Sequence, residues 1–524
     1  MTIGRLSMQH RRIVTGVLAT ASLLTAACGS GTSTSGGTTA PGSDVLHLAF
    51  YSDMSTPDPD VFYDIDGLEV TLYAYDNLIR YKPDSKEYEG DLATKWAMSS
   101  DGLTYTFTLH PGVVFADGTP CDSKAVAASF DRRSKVNSAP AYMLQDVDHY
   151  ETPDATTFIV KLKKPVSAFL DYMASSWGPR AISPTALAAH AGSDVGQTWL
   201  ATHSEGTGPF TLTSFDRGRR YTMTRNDHYF GHKPFFREVD IDIIPDFSTQ
   251  RQKLDKGDLD AILHAFPVSE LASEKGNSGV VEHDFASYLM PMVYFNPSKP
   301  LVSSAATRRA MIGAFALPDV VTQVYGRLGS LAGSVYPTGL LPASAAPVKY
   351  VDATSDPALP KSGTTLDFAY VADQSGVQRR AAELIAQKAA RAGITLTIRE
   401  AQPAQTYDYI KDLAHAPDLL LGTNTPDAAH PDTWARILWG TGGGLNFFGY
   451  SNTGVDAALD KGLRETDSSA ATADYGQAGS LMIADGAVYP FANIKDWMVM
   501  RSDLQNVAHV PNYAWSLDLD RLSR

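Results

Sequence analysis

Between Asn424 and Trp434 the chain reads NTPDAAHPDTW, which brings carboxylates at Asp427 and Asp432, an imidazole at His430 and an indole at Trp434 into one short segment. A carboxylate withdrawn from water needs a cation, and an ammonium group supplies one through charge-assisted hydrogen bonds. One imidazole and two carboxylates are also a partial ligand set for a transition ion. Against both stand structural roles: Asp427 capping a turn, or the helix that begins near Thr433, and His430 as a polar surface group ahead of a proline. Signatures of catalysis are missing elsewhere. The chain has no G-x-x-x-x-G-K-[ST] phosphate loop, no G-x-S-x-G elbow, no H-E-x-x-H and no C-x-x-C, and Gly442–Gly444 reads as a loop. These absences point to binding without turnover and without a cofactor, and metal is not expected.

The elements that must position this segment are legible from periodicity. Leu366–Val371 reads as a strand, Val377–Arg391 as an amphipathic helix stopped by Gly393, Ile394–Arg399 as a strand, Ala404–Ala414 as a second helix and Leu419–Leu421 as a buried strand. Two successive crossover units make a parallel sheet, and ligands of such sheets bind outside the carboxyl ends of the strands, which indicates Gly422–Asp432. Trp434, Trp439, Phe447, Phe448 and Tyr450 crowd the same region as candidate pocket walls, although such rings also pack cores. Before about Ser204 the texture differs. Thr104–Leu109 alternates threonine with Tyr105, Phe107 and Leu109, and turn pairs at Asp101-Gly102, Pro111-Gly112 and Asp117-Gly118 flank it. Thr157–Lys163 is a second alternating strand, Ser123–Asp131 starts a helix, and Thr211–Phe215, Tyr221–Arg225 and Val239–Ile244 form a later ladder.

Two of these blocks carry a resemblance. DLATKWAMSSDGLTYTFTLHPGVVFADGTP (Asp91–Pro120), and GTGPF followed by RNDHYFGHKPFF (Gly206–Phe236), resemble the family 5 extracellular solute-binding proteins, the dipeptide, oligopeptide and nickel receptors of ABC importers. The family usually has Arg or Lys where His110 stands. The resemblance implies an α/β, two-lobed periplasmic-binding-protein-like fold with an extra β-rich subdomain in the first lobe. Residues 44–75, 205–287 and 496–524 would build the first lobe, 76–204 the subdomain and 288–495 the second lobe, with a hinge at crossings near Tyr288–Phe295 and Phe491–Met500. It further implies that Asp427 holds a peptide's ammonium group, with Trp434 in the family's aromatic place and Tyr63, in Phe62-Tyr63-Asp64-Ile65-Asp66, contributed by the first lobe; Asp64, Asp66, Trp439 and Phe447 are the candidates beside them. The dipeptide receptors' carboxylate-binding arginine has no counterpart in Ala372-Asp373-Gln374-Ser375, so a longer peptide fits better than a strict dipeptide. A nickel chelate, a sugar or a siderophore is the alternative solute. A secreted lipoprotein hydrolase is the alternative of another class.

The start of the chain sets the compartment. Arg5, Arg11 and Arg12 precede an apolar run from Ile13 to Thr25, and Ala26-Ala27-Cys28 follows. This is a secretory signal over residues 1–27, too short to span a bilayer as a mature helix. A cysteine after small residues resembles the lipobox of bacterial lipoproteins and makes Cys28 the expected acylated residue. Residues 28–43, made of Gly, Ser, Thr, Ala and Pro after the cysteine, would be a flexible tether of about 20 Å. With 44 Lys+Arg against 58 Asp+Glu the chain is acidic, which argues against nucleic acid as a partner. Cys121 is the only other cysteine, so stability rests on a core that 44% apolar residues can supply. The expectation is a lipid-anchored, extracytoplasmic, monomeric receptor whose partners are a peptide or other small solute and the transmembrane permease subunits.

Overall fold

The computed structural model describes residues 44–524 apart from 265, 269, 272–278, 351–353 and 374. The signal, Cys28, the tether and Gln374 lie outside the described residues. The fold is α/β and two-lobed, each lobe built on its own sheet, with a separate antiparallel β layer on the first lobe. The first sheet runs, in spatial order, Val280–Phe285, Asp496–Arg501, Ala261–Ile262, Val45–Phe50, Glu238–Ile243, Arg220–Arg225 and Phe210–Asp216. Its strands therefore come from the start, the middle and the end of the described chain. Alternation explains the face each presents: Leu46, Leu48, Tyr221, Met223, Val239 and Ile241 point into one core while the threonines and charges between them face away.

The added layer is four antiparallel strands in the order Ala93–Met98, Thr104–Leu109, Thr157–Leu162, Val147–Glu151. Tyr105, Phe107, Phe158 and Val160 are its buried rungs. Helix Ser123–Val136 lies against them, started by Asp122, whose carboxylate accepts from Lys124 N and Ala125 N, and ended by Asn137 in the left-handed region (φ 51°). The glycines of GTGPF serve closeness as much as turning. A Cβ at Gly206 or Gly208 would stand 2.2 or 2.4 Å from the carbonyls of Ala74 and Tyr73, so only glycine lets the ladder pass the end of helix Leu68–Ala74.

The second sheet has the order Thr395–Ala401, Thr365–Val371, Leu419–Asn424, Met290–Phe295, Val488–Pro490. The first three strands are parallel, and the last two join antiparallel. Helix Val377–Ala390 makes one crossover, seating Ala381, Ala382, Ile385 and Ala389 on the sheet. The helix expected over Ala404–Ala414 does not form. The segment makes single turns at Pro403–Thr406 and Tyr409–Lys411 instead. The turns close by i→i+3 bonds, Asp408 N to Gln405 O (3.1 Å), Lys411 N to Asp408 O (3.0 Å) and Asp412 N to Tyr409 O (3.1 Å), and the chain beyond is held by Asn296 Nδ2 donating to Leu413 O (3.0 Å) and Lys299 Nζ to Ala414 O (2.7 Å). The chain passes between the two large sheets twice, from Phe285 to Met290 and from Pro490 to Asp496.

Candidate functional site

The site grows from the carboxyl end of the central strand of the second sheet. Leu419, Leu420 and Leu421 are fully buried, and the strand emerges at Asn424, whose Nδ2 donates to the Tyr294 hydroxyl at 2.7 Å. Helix Pro431–Trp439 follows, with Pro431 at its first turn and His430 as its cap, Nδ1 accepting from Asp432 N (3.2 Å). The loop between, Thr425–Ala429, is gripped from several sides. Asn512 Nδ2 donates to Pro426 O (2.9 Å), Ser175 Oγ to Asp427 O (2.5 Å), Ala429 N to Tyr81 Oη (2.9 Å) and Thr433 Oγ1 to Ala428 O (2.7 Å). The main chain at Asp427 is thereby fixed before any ligand arrives.

Asp427 is 5% exposed, and both donors to its Oδ2 are neutral: the hydroxyls of Tyr63 at 2.5 Å and Tyr142 at 2.7 Å. Among the described residues it makes no ion pair. Burial pushes its carboxyl up to about 6, and the two tyrosine hydrogen bonds pull the other way. The hydroxyls of Tyr63 and Tyr142 are held well above their ordinary value, first by burial and then by the charge of Asp427. A buried carboxylate that receives hydrogen bonds but no counter-charge is costly to ionise, and a proton or a cation relieves that cost.

Other expected residues lie at varying removes. Asp64 is exposed, with Oδ1 accepting from Ile65 N (2.7 Å), and its carboxyl is raised by desolvation and then by Asp66. Asp66 accepts from Ser52 Oγ (2.7 Å) and faces His264 Nδ1 at 3.5 Å. Phe447 stands 5.4 Å from the ring of Tyr294 and 5.4 Å from that of Tyr407, whose hydroxyl is raised by burial and then by Asp64 and Asp427. Tyr407 and Phe447, with Ile410, Thr441, Asn446 and Tyr450, line a cavity of about 270 Å³.

Trp434 and Trp439 stand elsewhere. Both are wholly buried in the second lobe, their rings 6.1 Å apart, with Nε1 donating to Val335 O (2.9 Å) and Val488 O (3.2 Å). Where the sequence suggested ligand walls, the structure puts packing. The apolar spacing Trp434, Ala435, Ile437, Leu438, Trp439 is that of a helix face turned to a core. Asp432 is likewise engaged, accepting from Arg436 at both oxygens (2.9 Å each), so Asp427, His430 and Asp432 face three different partners. Asp373 serves the helix that follows it, accepting from Val377 N (3.1 Å) and Gln378 N (3.3 Å). Arg379 is drawn to the Tyr370 hydroxyl (2.9 Å) and Glu400 (3.3 Å).

Sequence reasoning passed over Tyr142, Ser175 and Trp177. The Trp177 ring meets Tyr63 edge-on at 5.5 Å, and its Nε1 donates to Asp64 O at 2.9 Å. These residues sit in the subdomain, 285 and 252 positions from Asp427 for Tyr142 and Ser175, and no local pattern marks them.

Comparison with known proteins gives the family and the fold. The family model described as bacterial extracellular solute-binding proteins, family 5 Middle, matches residues 87–446. The probable D,D-dipeptide-binding periplasmic protein DdpA of Escherichia coli (strain K12) is 31% identical over 463 residues, covering 86% of this chain and 88% of that protein. The dipeptide-binding protein of Pseudoalteromonas sp. SM9913, solved with Met-Leu, superposes with a TM-score of 0.80 at 21% identity, over 91% of this chain and 99% of that one. NikZ from Campylobacter jejuni, solved with Ni(L-His), gives a TM-score of 0.78 at 20% identity, over 92% and 100%.

Proposed function

The chain belongs to the family 5 bacterial extracellular solute-binding proteins, and from that premise we propose that it captures a peptide by the amino terminus at Asp427 and delivers it to the permease of an ABC importer. It is a transport receptor and not an enzyme. The observation that carries the reading is the Asp427 carboxylate, buried, tied to two tyrosine hydroxyls and lacking an ion-pair partner among the described residues. An α-ammonium group brings three donors and one charge to that oxygen-rich point.

The far end of the ligand argues for length. Asp373 and Ser375 follow the strand Thr365–Val371, and Arg379 is held by Tyr370 and Glu400. A dipeptide carboxylate would meet Asp373 where the dipeptide receptors offer arginine, whereas a longer peptide carries its carboxylate past this point. The lobes, bounded at 44–75, 205–287 and 496–524 on one side and 288–495 on the other, close on the ligand about the two crossings, with the subdomain 76–204 moving with the first. Acylation of Cys28 holds the monomeric receptor at the outer face of the cell membrane, and Cys28→Ser should release it into the soluble fraction.

The test begins with what co-purifies with the native protein, identified by mass spectrometry. A metal isotope pattern in that species would replace the peptide with a metal chelate. For a peptide so found, calorimetric titration of wild type and Asp427→Asn, each with the free and the N-acetylated ligand, makes a double cycle. Asp427→Asn should cost about 2–5 kcal/mol of binding. Acetylation should cost wild type a similar amount and the variant little more, because both changes remove one pair. Fully additive losses would detach Asp427 from the amino terminus and end the reading.

A further inference from the structure

Tyr63 lies in the stretch between Tyr51 and Gly67, which has no strand or helix of its own, and the residue is 38% exposed. Such a side chain loses its rotamer freedom only if something else holds it. Yet its hydroxyl rests 2.5 Å from a carboxylate 364 positions away in the chain. The restraint comes from two buried residues of the subdomain. Arg133, wholly buried, donates from Nη2 to Pro59 O (2.8 Å), from Nε to Asp60 Oδ1 (2.9 Å) and from Nη1 to Trp177 O (2.7 Å). One guanidinium thus ties the segment just before Tyr63 to the segment that carries Trp177. Trp177 closes the loop from the other side: its Nε1 donates to Asp64 O at 2.9 Å, and its ring edge abuts Tyr63 at 5.5 Å. Its main-chain N donates to Ser175 Oγ (3.1 Å), the same hydroxyl that donates to the carbonyl of Asp427 (2.5 Å). Trp177 therefore touches Tyr63 directly and reaches the main chain of Asp427 through Ser175.

We propose that Trp177 and Arg133 are positioning residues, which hold the Tyr63 hydroxyl on the Asp427 carboxylate. The inference rests on the reading of Asp427 as the ligand's anchor, but its test needs no ligand. Loosening the clamp frees Tyr63, and a carboxylate that loses a donor titrates at higher pH. The experiment uses the full chain labelled with carbon-13 at aspartate carboxyls, the Asp427 resonance being identified by its absence in Asp427→Asn. Tyr63→Phe should raise the titration midpoint of Asp427 by about one pH unit, the scale of one charge-assisted hydrogen bond. Trp177→Phe keeps a ring but loses the indole donor, and should raise the midpoint in the same direction. The double variant should rise no further than Tyr63→Phe alone, because both act through one bond. Arg133→Lys, which cannot hold Pro59 and Trp177 at once, is the second variant if Trp177→Phe does not fold.

A fall in melting temperature alone would follow from any loss of packing and decides nothing, so the midpoint is the readout. An unmoved midpoint in folded Trp177→Phe or Arg133→Lys, with Tyr63→Phe displaced, overturns the proposal. So does additivity in the double variant, or an unmoved midpoint in Tyr63→Phe. Adding the co-purified ligand to the labelled wild type then tests the anchor separately. A silent Asp427 resonance at saturation would remove the ligand from Asp427 while leaving the positioning result intact.

Discussion

Two groups of buried aspartates in this molecule are satisfied by opposite means. Asp58 and Asp60, 1% and 0% exposed, meet two arginines: Arg132 donates to Asp58 at 2.6 and 2.9 Å and to Asp60 at 2.5 Å, and Arg133 donates to Asp60 at 2.9 Å. Asp427, 5% exposed, meets two tyrosines and no cation. Burial raises Asp58 even so, with Arg132 as the main opposing influence, and it raises Asp427 to about 6 with only hydroxyls opposing. Where the charge is complete the group is architecture. Where it is left short by one cation, as at Asp427, the proposed reading makes that shortfall the place for a ligand's ammonium.

One substitution, aspartate to asparagine, separates the two kinds of site by its effect at each. Asp60→Asn should destabilise the protein by about 3–5 kcal/mol, since the new amide turns a donor toward Arg132 or Arg133 and leaves a buried guanidinium short of charge. Both Asp60 oxygens accept in the native protein, so neither orientation of the amide escapes the clash. Equilibrium unfolding in urea measures it, and a loss below about 1 kcal/mol would show that the arginine network is not what secures the segment before Tyr63.

The pH dependence of ligand capture is the next effect in size. An ammonium pairs with the ionised carboxylate, so below about pH 6 binding must first expel a proton from Asp427. Affinity should then fall about tenfold per pH unit. A second decline should begin near pH 8, where a peptide amino group itself loses its proton. Titration of wild type between pH 5 and 9 checks both limbs, and the acid limb should vanish in Asp427→Asn. An acid limb that persists in the variant would belong to another group, with Asp64, whose carboxyl is raised by desolvation, the candidate.

The same contrast explains what the sequence disclosed and what it hid. The strand Thr104–Leu109 and the parallel core of the second sheet follow from alternation and from crossover spacing, which are local. The segment Gly422–Asp432 was indicated because it follows a central strand, where binding groups collect, and the family resemblance singled out Asp427 within it. The tryptophans beside it misled, because an indole four residues from another apolar side chain looks the same whether it faces a core or a cleft. Only the fold shows Trp434 and Trp439 donating to carbonyls in the second lobe. Tyr142 and Trp177 were illegible for a different reason. Their meaning depends on which lobe is brought against Asp427, and nothing within a dozen residues of either encodes that. The helix expected at Ala404–Ala414 is replaced by i→i+3 turns, and the chain beyond them is held by Asn296 and Lys299 from far upstream.

The smallest predicted effect carries the opposite sign to the first. The folded-state pKa of Asp427 is raised from 3.8 to about 6, so the native protein binds that proton more tightly than the unfolded chain does. A raised acid detracts from stability in its ionised form, fully above its folded value, and detracts nothing below its unfolded value. At pH 7.5 the ligand-free Asp427→Asn variant should therefore be more stable than wild type by about 1–2 kcal/mol, less than the full shift implies because an amide oxygen accepts from tyrosine more weakly than a carboxylate. At pH 4 the gain should disappear. Urea unfolding of ligand-free protein at the two pH values measures both. A gain at Asp427 beside a loss at Asp60, from one and the same chemical change, would mean that burial alone does not define a structural aspartate; the partner does. A loss at both positions would instead place Asp427 among the residues that hold the fold, with its tyrosines as sufficient company and no cation awaited.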